Sequence, residues 1–122
     1  IVLALPGTAE TRGLIGAAEL AAMKADAVLI NFARADIVDE PALVAALRDK
    51  RIAAAVLDVT DPEPLPPDHP LWSLDNAHIT MHLSGIPTPA SLQRAAERFA
   101  RNCERFLDGE PLEALVDLKL GY

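Results

Sequence analysis

The 122-residue chain is 51% hydrophobic with a formal net charge of −7, enough apolar material for one modest core and too short for two domains. The acid excess leaves no basic stripe to neutralise phosphates, which excludes nucleic acid and anionic membrane surfaces as partners. A single cysteine, Cys103, forms no internal disulfide, and no run of about 18 apolar residues reads as a membrane span, so a reducing, cytoplasmic setting is expected.

The chain opens on Ile1-Val2-Leu3-Ala4-Leu5, an apolar run without an initiator Met that reads as a buried strand and implies a start inside a longer protein. A helix is predicted around Ala17 to Met23, a second strand at Ala27 to Ile30, and a second helix from about Pro41 to Lys50, where Leu43, Ala46 and Leu47 share a face. Strands follow at Ile52 to Leu57 and His78 to Met81. All four strand runs are continuously rather than alternately apolar, the pattern of strands covered on both faces. Strand and helix in alternation predict parallel βαβ units.

Between the last two strands, Val59 to Asn76 contains Pro62, Pro64, Pro66, Pro67 and Pro70, which excludes a regular element and predicts a long, stiffened loop. Loops of that length in compact domains are usually functional. The final helix is marked by Thr88 as N-cap, Pro89 at its first position, and Leu92, Ala96, Phe99, Cys103 and Phe106 at spacings of three and four. Gly109 and Pro111 stop it. Cys103 on that stripe is expected to be a buried, inert thiol. Glu110 to Tyr122 reads as a tail that needs something to pack against.

Ligands of open parallel sheets bind beyond the carboxyl ends of the strands. The residues there are Pro6-Gly7-Thr8, Asn31-Phe32-Ala33-Arg34, Asp58 with the loop to Glu63, and His82-Leu83-Ser84-Gly85. One Arg, one Glu and one His thus emerge on the same edge. Each alone has an ordinary explanation: Arg34 pairing with Asp36 or Asp39, Glu63 as a solvated loop acid, His82 as a satisfied core histidine, Asp58 as a turn cap. His69 and His78 read as structural or exposed, Trp72 as an anchor of the proline-rich loop, and no spacing suggests a metal site.

In order along the chain, Leu5-Pro6-Gly7-Thr8-Ala9-Glu10-Thr11-Arg12-Gly13-Leu14-Ile15, Leu29-Ile30-Asn31-Phe32-Ala33-Arg34, Val38-Asp39-Glu40, Leu57-Asp58-Val59, Glu63-Pro64-Leu65-Pro66, Pro70-Leu71-Trp72 and His82-Leu83-Ser84-Gly85 resemble the D-isomer-specific 2-hydroxyacid dehydrogenase family. The resemblance covers essentially the whole chain. It implies that residues 1–122 are the C-terminal half of a dinucleotide-binding domain, an α/β, partial doubly wound, Rossmann-like parallel sheet with flanking helices. The Gly-x-Gly-x-x-Gly fingerprint and the substrate domain are absent from it.

The same resemblance implies NAD(P)-dependent reduction of small 2-oxo acids, similar to glyoxylate or hydroxypyruvate, to D-2-hydroxy acids. Arg34, Glu63 and His82 would be catalytic: Arg34 holding the substrate carboxylate, His82 giving a proton, and Glu63 fixing the imidazole. NAD or NADP would meet Leu5, Pro6, Phe32, Ala33, Arg34, Asp58, His82, Ser84 and Gly85, with Asp58 facing the nicotinamide carboxamide. The partners implied are a small 2-oxo or 2-hydroxy acid and a second copy in a homodimer. Against the family pattern, Ala35 stands where a Gly is usual, Met81 where a Pro is usual, and Phe32 where a small residue is common.

Two other readings are open at this point. One is a non-catalytic nucleotide-sensing protein of the same fold, similar to dehydrogenase-like corepressors. The other is a structural remnant whose open sheet edge drives association. In all three, Ile1 to Leu5 is expected at an unpaired sheet edge, and the 122 residues alone are expected to be inactive.

Overall fold

The four apolar runs form β1 (Val2–Leu3), β2 (Val28–Asn31), β3 (Ala54–Leu57) and β4 (Ala77–Ile79) in a computed structural model that describes residues 1–122. They pair in parallel, in the order β1-β2-β3-β4, so β1 is an edge strand as expected. The register sets Asn31 opposite Leu57 and Leu57 opposite Ile79. Three carboxyl ends are therefore level, and whatever follows them in sequence emerges on one edge of the sheet.

Helices α1 (Ala17–Ala22) and α2 (Glu40–Arg48) connect the strands and pack against each other. At the start of α1 the Glu19 carboxylate accepts the Gly16 N–H at 3.0 Å, and at the start of α2 Asp39 accepts the Ala42 N–H at 3.0 Å. These bonds satisfy amide groups that have no partner within the helix. The one apolar core lies between sheet and helices and includes Leu20, Leu29, Ile37, Leu43, Leu47 and Ile52. The length of the chain suggested a single core, and the structure has one.

The proline-rich stretch departs from the sequence expectation, because Pro70–Ser73 is a one-turn 3-10 helix. Proline fits there because its preset φ suits a first helical position that needs no N–H donor. His69 caps the turn, its Nδ1 accepting the Leu71 N–H at 3.4 Å, while its Nε2 meets the Glu40 carboxylate at 2.8 Å. The Trp72 indole N–H donates to the Pro66 carbonyl at 2.8 Å. His69 and Trp72 thus have the structural parts read for them.

The chain divides into two compact units, Ile1–Ser84 and Gly85–Tyr122, and the core belongs to the first. The second is built on α3 (Pro89–Leu107), with Thr88 accepting the Ser91 N–H at 3.2 Å and Gly109 at φ +71° just past its end. Arg101 holds Glu113 of the tail by paired bonds at 3.1 Å. The expectation of a buried thiol is corrected here: Cys103 is exposed, and α3 has no buried residue. Its apolar stripe is real, but the polar contacts that tie the tail to the helix do not cover it.

Leu29 lies in β2 between two flanking strands and is fully buried. Leu29→Ala is expected to lower the unfolding free energy by about 2–5 kcal/mol, read from urea denaturation of the chain; a loss below the lower figure would mean that the site collapses around the cavity.

Candidate active site

Arg34 owes its position to the buried end of β2. The Asn31 side chain accepts the Ala33 N–H at 3.0 Å and donates to the Arg34 carbonyl at 2.9 Å, so one buried amide closes the turn from both sides. A buried polar group with both ends satisfied rigidifies the backbone around it. The Arg34 side chain is exposed, and its Nη1 donates to the Ala33 carbonyl at 2.6 Å. The ordinary pairing with Asp36 or Asp39 is not formed, since Asp36 meets Arg12 at 3.4 Å and Asp39 caps α2. Ala35 opens a one-turn 3-10 helix, Ala35–Ile37, without positive φ, so the glycine usual there is not required.

His82 is held differently. It takes φ +55°, a left-handed conformation that costs a side-chain-bearing residue about 1–3 kcal/mol. The cost is offset by Asp58, which follows β3 and is buried. Its Oδ1 accepts the Leu83 N–H at 2.9 Å and the Thr80 hydroxyl, and its Oδ2 accepts the Ser84 N–H at 2.8 Å. Burial alone would push this carboxyl up. The hydrogen bonds from the Ser84 and Thr80 side chains and from the Ser84 and Leu83 backbone outweigh it and hold Asp58 well below the usual carboxylate range.

With the turn anchored in this way, His82 Nδ1 lies 3.0 Å from the Glu63 carboxylate. If Nδ1 carries the proton of that bond, Nε2 is left for another partner. Arg34, Glu63 and His82 line one recess of about 380 Å³, together with Arg12, Asp36 and Asp61. A neighbouring, mostly apolar recess of about 410 Å³ is lined by Ile30, Phe32, Val56 and Leu83, with Asp58 and Ser84 on its wall.

The remaining residues singled out in the sequence are spread along the same edge. Leu5 is half-buried against the core, the Pro6 carbonyl accepts the Thr11 hydroxyl at 2.8 Å, Phe32 is exposed and Ala33 is buried. Gly85 begins the second unit. Sequence reasoning gave no part to Asn31 or Thr80. The only available signal was a polar residue at the end of an apolar strand, and it carries no information about which backbone groups it will reach.

Comparison with known proteins gives a consistent picture. The family model described as D-isomer specific 2-hydroxyacid dehydrogenase, NAD binding domain, matches residues 1–84. The chain is 47% identical over 113 residues to a glyoxylate reductase of Thermofilum pendens, covering 93% of this chain and 33% of that protein. It is 51% identical over 96 residues to a glyoxylate/hydroxypyruvate reductase B of Citrobacter koseri, covering 79% of this chain and 30% of that protein. Among solved structures, a D-isomer specific 2-hydroxyacid dehydrogenase from Xanthobacter autotrophicus Py2, in complex with NADPH and MES, superposes with a TM-score of 0.89 at 47% identity. That match covers 99% of this chain and 49% of the other. The chain therefore spans a third to a half of these proteins.

The lowered pKa of Asp58 has a consequence for stability. A carboxylate depressed in the folded state contributes stability that is complete above its unfolded value near 4 and is lost as pH falls through the folded value. Asp58→Asn should destabilise the chain by about 1–3 kcal/mol at pH 7, and the gap to wild type should narrow between about pH 5 and pH 2. Denaturation midpoints at several pH values check this; a gap that stays constant on acidification would show that charge at Asp58 is irrelevant.

Proposed function

Because this chain belongs to the D-isomer specific 2-hydroxyacid dehydrogenase family, within its NAD binding domain, we propose that the protein carrying it reduces small 2-oxo acids to D-2-hydroxy acids with NADH or NADPH. Residues 1–122 act in this reading as the C-terminal half of a dinucleotide-binding domain. The observation that carries it is the convergence of Arg34, Glu63 and His82 on one recess, with His82 and Glu63 already 3.0 Å apart.

Each residue has a task suited to its chemistry. Arg34 binds the substrate carboxylate: Nη1 is engaged by the Ala33 carbonyl, leaving the Nε and Nη2 edge for two parallel, charge-assisted bonds. Glu63 accepts from Nδ1–H of His82, which fixes the tautomer and the orientation of the ring. His82 then gives the proton on Nε2 to the carbonyl oxygen as charge develops there, and takes it back when the 2-hydroxy acid is oxidised. Glyoxylate or hydroxypyruvate is the favoured substrate, supported by the names of two of the reductases that the chain resembles.

The chain's residues also fit a nicotinamide cofactor. The apolar lining from Ile30, Phe32, Val56 and Leu83 suits a flat ring, and it adjoins the recess that holds His82. When bound, the cofactor supplies or accepts the hydride. Leu5, Pro6, Phe32, Ala33, Arg34, Asp58, His82 and Ser84 are the residues we assign to holding it, with Asp58 acting first through the turn that it anchors.

The test is steady-state kinetics of the complete protein. His82→Ala is expected to lower kcat by about 10² or more. Arg34→Lys should raise KM for the 2-oxo acid and slow turnover, with little change in KM for the cofactor, because a point charge cannot reproduce the paired bonds. Wild-type rates in His82→Ala would end the acid assignment, and normal kinetics in Arg34→Lys would move the anion contact elsewhere.

A further inference from the structure

Gly7 follows β1 and has no side chain to take part in the chemistry assigned above, yet the geometry points to a positioning role for it. A Cβ built on Gly7 would lie 2.9 Å from Arg34 Cγ, 3.3 Å from Arg34 Cβ and 3.5 Å from Asp36 Oδ1. Carbon atoms in contact sit about 3.5–4.0 Å apart, so the approach to Cγ is a clash and the approach to Cβ a tight contact. They fall on the near end of the arginine side chain, which cannot swing clear without leaving its rotamer. The backbone of Gly7 has no positive φ, so conformational freedom does not explain the glycine. Space does.

Moving the loop to relieve the clash would strain the bonds that lace it to the segment after Arg34. Gly13 N–H donates to the Asp36 carbonyl at 2.8 Å, Ile15 N–H to the Ile37 carbonyl at 3.0 Å, and Asp39 N–H to the Ile15 carbonyl at 2.9 Å. Within the loop, Thr11 ties back to both the Pro6 carbonyl and the Thr8 N–H at 2.8 Å. On the far side, Arg12 holds Asp36 at 3.4 Å. The Arg34 stem thus runs past Gly7 at a distance that leaves no room for a Cβ there.

We propose that Gly7 is a positioning residue for the anion-binding arginine: its missing side chain makes the slot that aims the Arg34 guanidinium into the recess shared with His82. The kinetic side of this proposal rests on the functional reading above; the slot itself does not. Gly7→Ala in the complete protein should raise KM for a 2-oxo acid about tenfold or more, since a displacement near 1 Å is enough for losses of that size. KM for the cofactor should change less than about twofold, which a general loosening of the fold would not allow.

A double-mutant cycle isolates the cause. In an Arg34→Ala background the clashing Cγ is gone, so Gly7→Ala should have no further effect on KM. Additive effects, or wild-type KM in Gly7→Ala, would overturn the proposal. If Gly7→Ala fails to fold, the double variant decides: recovered folding supports the slot, and continued failure overturns it. If the wild-type protein turns over no 2-oxo acid, the functional reading fails separately, and the slot is tested by the crystal structure of Gly7→Ala. A displaced Arg34 stem supports it, and an unmoved one overturns it.

Discussion

A single buried carboxylate governs the geometry of this site. Asp58 takes hydrogen bonds from Thr80, Leu83 and Ser84, which bracket His82 on both sides. A left-handed backbone at a histidine is unfavourable on its own. It persists because an ionised acceptor in a low-dielectric position gains more from these donors than the turn loses in strain. Without that anchor the chain after β4 has no reason to reverse at His82, and the ring has no reason to meet Glu63. The buried acid thus determines where the histidine ring will be.

The arginine side of the site follows the same logic with a neutral group. Asn31 is buried at the end of β2 and links the Ala33 N–H to the Arg34 carbonyl. A charged anchor beside Arg34 would compete with a substrate anion for the guanidinium. An amide holds the backbone without doing so. Of the carboxylates around the recess, Asp36 is occupied by Arg12 and Glu63 by His82. Arg34 is left as a cation with a fixed stem and an uncommitted edge, which is the state an anion site requires.

Most of the fold was legible in the sequence because it depends on local pattern. Continuous apolar runs located all four strands, and the cap at Thr88 and the stop at Gly109 were read from residue type alone, while the cap at Asp39 was not. The strand ends were less legible. His78 to Met81 predicted a strand through Met81, but β4 ends at Ile79, because Thr80 and the turn beyond it are drawn to Asp58. Prolines correctly kept Val59 to Asn76 free of strands and α-helices, yet hid the one-turn helix that Pro70 itself permits. Cys103 was placed on the right helix face and given the wrong environment, because periodicity identifies an apolar stripe and cannot say what covers it. The family pattern carried Arg34, Glu63 and His82. Asn31 and Gly7 were invisible as site residues for a common reason: what matters about each is a distance to an atom elsewhere in the chain, and no local spacing encodes it.

The division of labour among strands explains how so small a unit can hold three groups in register. Arg34 comes from the end of β2, Asp58 from the end of β3, and His82 from the turn after β4. Adjacent parallel strands are fixed about 4.8 Å apart by their ladders, so Arg34 and His82 inherit their separation from backbone hydrogen bonds rather than from side-chain packing. Glu63 is the exception, since it sits on the long loop between β3 and β4. Its mobility is limited from the far side: Trp72 closes the loop onto the Pro66 carbonyl, and His69 fastens the following turn to Glu40 at the start of α2. The prolines reduce the conformations left to the segment between those ties. A group on a loop thereby approaches the precision of groups on a sheet, and the interaction that depends on it joins Glu63 to His82 at 3.0 Å.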